Sequence, residues 1–84
     1  MIRRDVEFGC ADSMTPDIAV KLVSIAERST ARLDLACGGK RVCLDSLIGI
    51  LSVECRRGTQ VEILAEGDGT EADVDAIVEL LEGR

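Results

Sequence analysis

Apolar and polar positions alternate from Ile2 to Phe8, with Ile2, Arg4, Val6 and Phe8 on one side and Arg3, Asp5 and Glu7 on the other. A period of two predicts a half-buried strand, with Arg4 interrupting the apolar side near its exposed start. After a loop over 9–14 the period lengthens. Ile18, Ala19, Leu22, Val23, Ile25 and Ala26 recur at steps of three and four, which predicts a helix reaching about Ser29. Thr15-Pro16-Asp17 opens it, with threonine as N-cap, proline at the first helical position and an acid in the first turn. Alternation returns at Leu33, Leu35 and Cys37, the Gly38-Gly39 pair makes a two-residue turn, and a further strand runs from Lys40 to Leu44.

That turn fixes the register. Cys37 pairs with Lys40, Leu35 with Val42, Asp34 with Cys43 and Leu33 with Leu44. Cys37 and Cys43 then point to opposite faces of the sheet and cannot form a disulfide with each other. Asp45 or Ser46 caps a short helix running to about Val53. Leu47, Ile48, Ile50 and Leu51 place four apolar residues in five positions. A short surface helix cannot bury them all, so part of this helix is expected to face solvent. A charged loop over 54–58 leads to a strand over 60–65 with Val61, Ile63 and Ala65 on one side. A turn at Gly67-Asp68-Gly69 follows, and Thr70 caps the last helix, whose apolar stripe is Val74, Ile77, Val78 and Leu81.

The order β-α-β-β-α-β-α predicts an α+β fold, an open-faced β-sandwich formed as one domain over 1–84. Its four-stranded antiparallel sheet is covered on one side by three helices, and the other side is wet.

Composition narrows the function. The chain has 84 residues, no Trp, no Tyr, one Phe and a net charge of −6. Base-stacking platforms need aromatic faces and phosphate backbones need cations, so no direct nucleic-acid partner is expected. An acidic chain with no apolar run near the ~18 residues of a membrane span gives no membrane association either. The amino-terminal residues show no signal peptide, and a cytoplasmic location follows. There is no histidine, and none of the spacings among Cys10, Cys37, Cys43 and Cys55 is that of a zinc or redox pair. No cofactor, no metal and no enzymatic centre are expected, and the four cysteines read as reduced, mostly buried thiols.

The stretch Gly38-Gly39-Lys40-Arg41-Val42, then Ser46-Leu47-Ile48-Gly49-Ile50-Leu51-Ser52, resembles HPr, the small phosphocarrier family of the bacterial sugar phosphotransferase system. The element order matches over the whole length, and 71–81 fits the family's last helix. The resemblance implies the open-faced sandwich and a regulatory serine at Ser46. It also implies a protein-docking face at Leu47, Ile48 and Leu51. A second family motif, Gly-Leu-His-Ala-Arg-Pro-Ala, is replaced here by Ser13-Met14-Thr15-Pro16-Asp17-Ile18-Ala19. Thr15 stands where the family has its phosphoryl-accepting histidine, and Asp17 where it has the arginine that steadies the phosphoryl group. A phosphothreonine ester is a poor phosphoryl donor, and Asp17 repels an incoming phosphate. Thr15 therefore reads as a cap worth ~1 kcal/mol.

Ser46 also has a plain reading as a cap. Its functional reading is a phosphorylation site, since a phosphate at a helix start meets unpaired N–H groups. In the family a dedicated serine kinase modifies this residue, and the product is a corepressor for a sugar-responsive transcription regulator. Some members keep the serine, lack the histidine and act in regulation, and this chain is similar to them. Asp45 departs from the lysine usual before the serine in Gram-positive members, and it disfavours a second negative charge. The resemblance thus implies a regulatory binding protein that docks through the helix after Ser46. An alternative is a phosphotransfer component using Cys10 or Cys55, whose loops the family fold brings to one end. A monomer or weak homodimer is expected, since an exposed strand edge or apolar helix promotes pairing.

Overall fold

The structure, a computed structural model, describes residues 2–67 and 71–83. Its elements are β1 (Ile2–Glu7), α1 (Pro16–Arg28), β2 (Arg32–Cys37), β3 (Lys40–Cys43), α2 (Leu47–Leu51), β4 (Gln60–Glu66) and α3 (Glu71–Glu82). The order is the one the periodicity predicts. The strands form one antiparallel sheet in the order β1-β4-β2-β3. The expected Thr70 cap lies outside the described residues, as do Asp68 and Gly69 of the expected turn.

The hairpin register is as derived, with Cys37 opposite Lys40, Leu35 opposite Val42 and Asp34 opposite Cys43. Gly38 (φ 58) and Gly39 (φ 82) both take positive φ, the conformation that a two-residue turn between twisted strands requires. Boundaries shift by one or two residues. Leu44 falls outside β3, yet its N–H still donates to the Leu33 carbonyl at 2.8 Å. Likewise α2 ends at Leu51, and residues 52–53 close it with short-range bonds to 48–50.

Period-two strands and three-four helices place their apolar sides together. Val6, Phe8, Leu33, Leu35, Val61, Ile63 and Ala65 from the sheet region meet Ile18, Ala19 and Leu22 of α1, Ile50 of α2, and Val74, Ile77, Val78 and Leu81 of α3 in one core. Burying each large apolar side chain is worth roughly 1.5–3 kcal/mol. Arg4 keeps its charge out of this core by reaching Asp75 of α3, Nη1 to Oδ1 at 3.1 Å. No helix among the described residues is long and apolar enough to cross a membrane.

The open face is drier at its centre than alternation predicts. Asp34 is 1% exposed and Leu64 5%, although both point away from the helices. Cross-strand neighbours account for this. Arg32 and Arg41 fold over Asp34, with Arg41 Nε at 2.8 Å and Arg32 Nε at 3.3 Å from its two carboxylate oxygens. Leu64 sits between Arg3 and Asp34 in the register. Arginine stems cover apolar surface while their guanidinium ends stay in water. The hydrogen bond to Asp34 holds the Arg32 guanidinium above its ordinary pKa.

Candidate functional site

The start of α1 is tied down on two sides. The loop over 9–14 runs beside 55–59 as an extension of the sheet. The Phe8 N–H donates to the Thr59 carbonyl at 2.9 Å, the Arg57 N–H to the Asp12 carbonyl at 3.0 Å, and the Met14 N–H to the Cys55 carbonyl at 3.1 Å. The Arg57 guanidinium adds a bond to the Gly9 carbonyl at 2.9 Å. On the other side the Gly9 and Cys10 N–H groups both donate to the Leu81 carbonyl of α3. At the end of this strap Thr15 is extended (φ −119, ψ 160), and its Oγ1 accepts from the Ile18 N–H at 3.3 Å. Pro16 begins the helix, and Asp17 is an exposed carboxylate in its first turn. This position therefore offers a hydroxyl already engaged as a cap and a negative charge beside it. It has no imidazole and no cation of the first turn to receive a phosphoryl group.

The start of α2 is built differently. Ser46 is the cap, and its Oγ accepts from the Gly49 N–H at 3.1 Å, so Ser46 and not Asp45 settles the two candidates named above. A β-carbon on Gly49 would lie 3.0 Å from Ser46 Oγ and 3.5 Å from Val42 Cβ, so glycine is what lets the helix turn this close to its own cap and to β3. At the far end Ser52 Oγ donates to the Gly49 carbonyl at 2.6 Å, and Lys40 Nζ donates to the Ser52 carbonyl at 3.3 Å. Within five helical residues only Ile50 is buried. Leu47 is 40% exposed, Ile48 82% and Leu51 43%. Ser46 and Asp45 are exposed beside them.

One further large apolar residue is exposed. Val20, on α1, is 51% exposed, and α1 packs against α2. Among the described residues these four are the exposed large hydrophobics. Val20 lies off the stripe that predicts α1, and a valine on the polar side of an amphipathic helix was the signal available in the sequence.

The cysteines take a different form from that expected. All four are free, but only Cys55 is fully buried, at 2% exposed, while Cys10, Cys37 and Cys43 are half-buried. Burial pushes the Cys10 thiol above its ordinary value, and it pushes Cys43 up as well, with help from its hydrogen bond to Asp45. Cys55 is pushed up to about 12, first by burial and then by the neighbouring Cys37. A nucleophilic cysteine needs a stabilised thiolate and access. Cys10 and Cys55 do lie at one end of the fold, yet burial keeps both as thiols. That works against using either one in place of histidine. Among the described residues no three His, Cys, Asp or Glu side chains gather as metal ligands.

Residues 2–83 match the family model for the HPr component of the sugar phosphotransferase system, described by its phosphorylation site. The chain belongs to the HPr family. It is similar to the HPr-like protein Crh of Halalkalibacterium halodurans, 23% identical over 82 residues, which is 98% of each chain. Among solved structures it resembles HPr-C-His of Thermoanaerobacter tengcongensis, with a TM-score of 0.88 and 27% identity over 98% of this chain and 92% of that one. It also shares the fold of Bacillus subtilis Crh, a catabolite-repression protein that forms a domain-swapped dimer, with a TM-score of 0.76 and 24% identity over 98% and 94% of the two chains. HPr-family proteins are phosphocarriers or regulators that work through other proteins, and they are not enzymes. The chain contains no histidine and has a serine at position 46.

Proposed function

We propose that this HPr-family protein is a cytoplasmic regulatory binding module rather than a histidine phosphocarrier. It docks protein partners through Leu47, Ile48 and Leu51, and phosphorylation of Ser46 regulates that docking. The observation that carries the reading is the contrast in exposure. Among the described residues, three of the four exposed large apolar side chains lie on the helix that starts at the exposed Ser46, while Thr15 is strapped and engaged as a cap. A phosphoryl relay needs a group that accepts and gives up phosphate readily, and the chain contains no histidine to do so. An exposed apolar cluster rimmed by polar residues is what protein-interaction sites present.

A serine kinase and a transcription regulator of the sugar-responsive type are the partners of this reading. The module works as a monomer or a weak homodimer. The test is a titration of the Ser46-phosphorylated chain onto such a regulator. Saturable binding that is lost in Ile48→Asp is expected. Binding that is unchanged in Ile48→Asp, or equally strong without phosphate, overturns the reading.

A further inference from the structure

We propose that Cys37 and Cys55 form a reversible disulfide when the protein meets a hydroperoxide, closing the segment that carries Ser46 and α2 into a covalent ring. Two observations bring these residues together. Cys37 ends β2, and its Sγ donates to the Glu54 carbonyl at 3.8 Å, against the residue that precedes Cys55. Cys37 is also the neighbour that, after burial, does most to push the Cys55 thiol up. The other two thiols are placed less well. Cys43 lies on the opposite face of the sheet from Cys37. Cys10 influences Cys55 only through space and less than Cys37 does.

The chemistry divides by exposure. Cys37 is half-buried and open to a small oxidant, whereas Cys55 is buried and protonated at neutral pH. The Cys37 sulfur attacks the hydroperoxide: an S–O bond forms, the O–O bond breaks, the thiol proton passes to the departing oxygen, and Cys37 becomes a sulfenic acid as the peroxide leaves as an alcohol or water. The Cys55 sulfur then attacks the Cys37 sulfur. The S–S bond forms, the S–O bond breaks, and hydroxide leaves with the Cys55 proton as water. The second step needs no solvent access at Cys55, because Cys37 already lies against the residue that precedes it. In a reducing compartment such a bond is transient, as expected of a redox-responsive pair and not of a structural one. The ring would contain β3, Ser46 and all of α2, so oxidation would act on the exposed apolar helix directly. The inference holds whether or not that helix docks a regulator.

Exposing the folded full chain to a small excess of hydrogen peroxide, then alkylating the remaining thiols, gives a direct readout by intact mass and peptide mapping. The expected product is a monomer lighter by two hydrogens, with Cys37 linked to Cys55. It should be restored by dithiothreitol, retained in Cys10→Ser and absent in Cys37→Ser. A link to Cys10 or Cys43, a cross-linked dimer alone, or oxygen adducts without any intramolecular link would overturn the proposal.

Discussion

At the start of α1 the Thr15 hydroxyl accepts from the Ile18 N–H at 3.3 Å, and at the start of α2 the Ser46 hydroxyl accepts from the Gly49 N–H at 3.1 Å. Both caps follow the same local rule, in which a short hydroxyl side chain satisfies a donor that the helix leaves unpaired. Everything beyond the cap differs. The first start leads into 13 residues that bury Ile18, Ala19 and Leu22, and its loop is pinned to 55–59 and to α3. The second leads into five residues with one buried side chain and three apolar side chains in water. A cap is therefore weak evidence of function by itself. What separates the two is the surface each one edges. Thr15 adjoins a carboxylate and a strapped loop, and Ser46 adjoins an apolar patch with nothing over it.

The largest way to break this comparison is to remove what anchors the second start. Ile50→Ala should cost about 2–5 kcal/mol, because it empties a site in the core beneath α2. Urea denaturation would read it as a lower midpoint, and α2 should loosen with it. Next in size is the alkaline limb of stability, which tests the strap beneath Thr15 through Cys55. Its thiol sits at about 12 in the folded chain against 9.0 in a free one. Between those values the unfolded chain has lost the proton that the folded chain keeps. Stability is therefore full below pH 9 and falls above it, by up to about 1.4 kcal/mol per pH unit for this group. Cys55→Ala should flatten that fall in denaturation series run from neutral to alkaline pH.

Smaller effects separate the two caps themselves. Thr15→Ala should cost ~1 kcal/mol, and Ser46→Ala less, because the helix it caps is only five residues long and mostly exposed. Equal costs, measured as paired thermal transitions, would mean that the surroundings do not matter in the way the structure implies. Smallest of all, Ile48→Ala should change stability by no more than about 0.5 kcal/mol, since the side chain is 82% exposed, while still removing partner binding. That dissociation of binding from folding is the behaviour of an interaction surface and not of a core position.

Much of this was legible in the chain. Period-two and three-four spacing gave the seven elements, and the two-residue glycine turn gave the hairpin register down to Asp34 opposite Cys43. The two caps and the apolar excess of α2 could be read the same way, because each depends on residues a few positions apart. What stayed hidden depends on neighbours far along the chain. The burial of Asp34 needs Arg41 from the next strand as well as Arg32. The exposure of Val20 depends on how α1 sits on the sheet and against α2, which its own periodicity does not report. The approach of Cys37 to the Glu54 carbonyl joins the end of β2 to the segment after α2, a meeting that no local spacing reports.

In the function proposed above, the working group of this chain is the Ser46 hydroxyl, and Thr15 carries no phosphoryl relay. Intact mass tests it most directly, comparing the chain after ATP and the family's serine kinase with the chain after phosphoenolpyruvate and the first enzyme of the phosphotransferase system. One acid-stable phosphate is expected in the first case, absent in Ser46→Ala, and an unchanged mass in the second. An acid-labile phosphate acquired from phosphoenolpyruvate, or a chain left unmodified by the kinase, would contradict it.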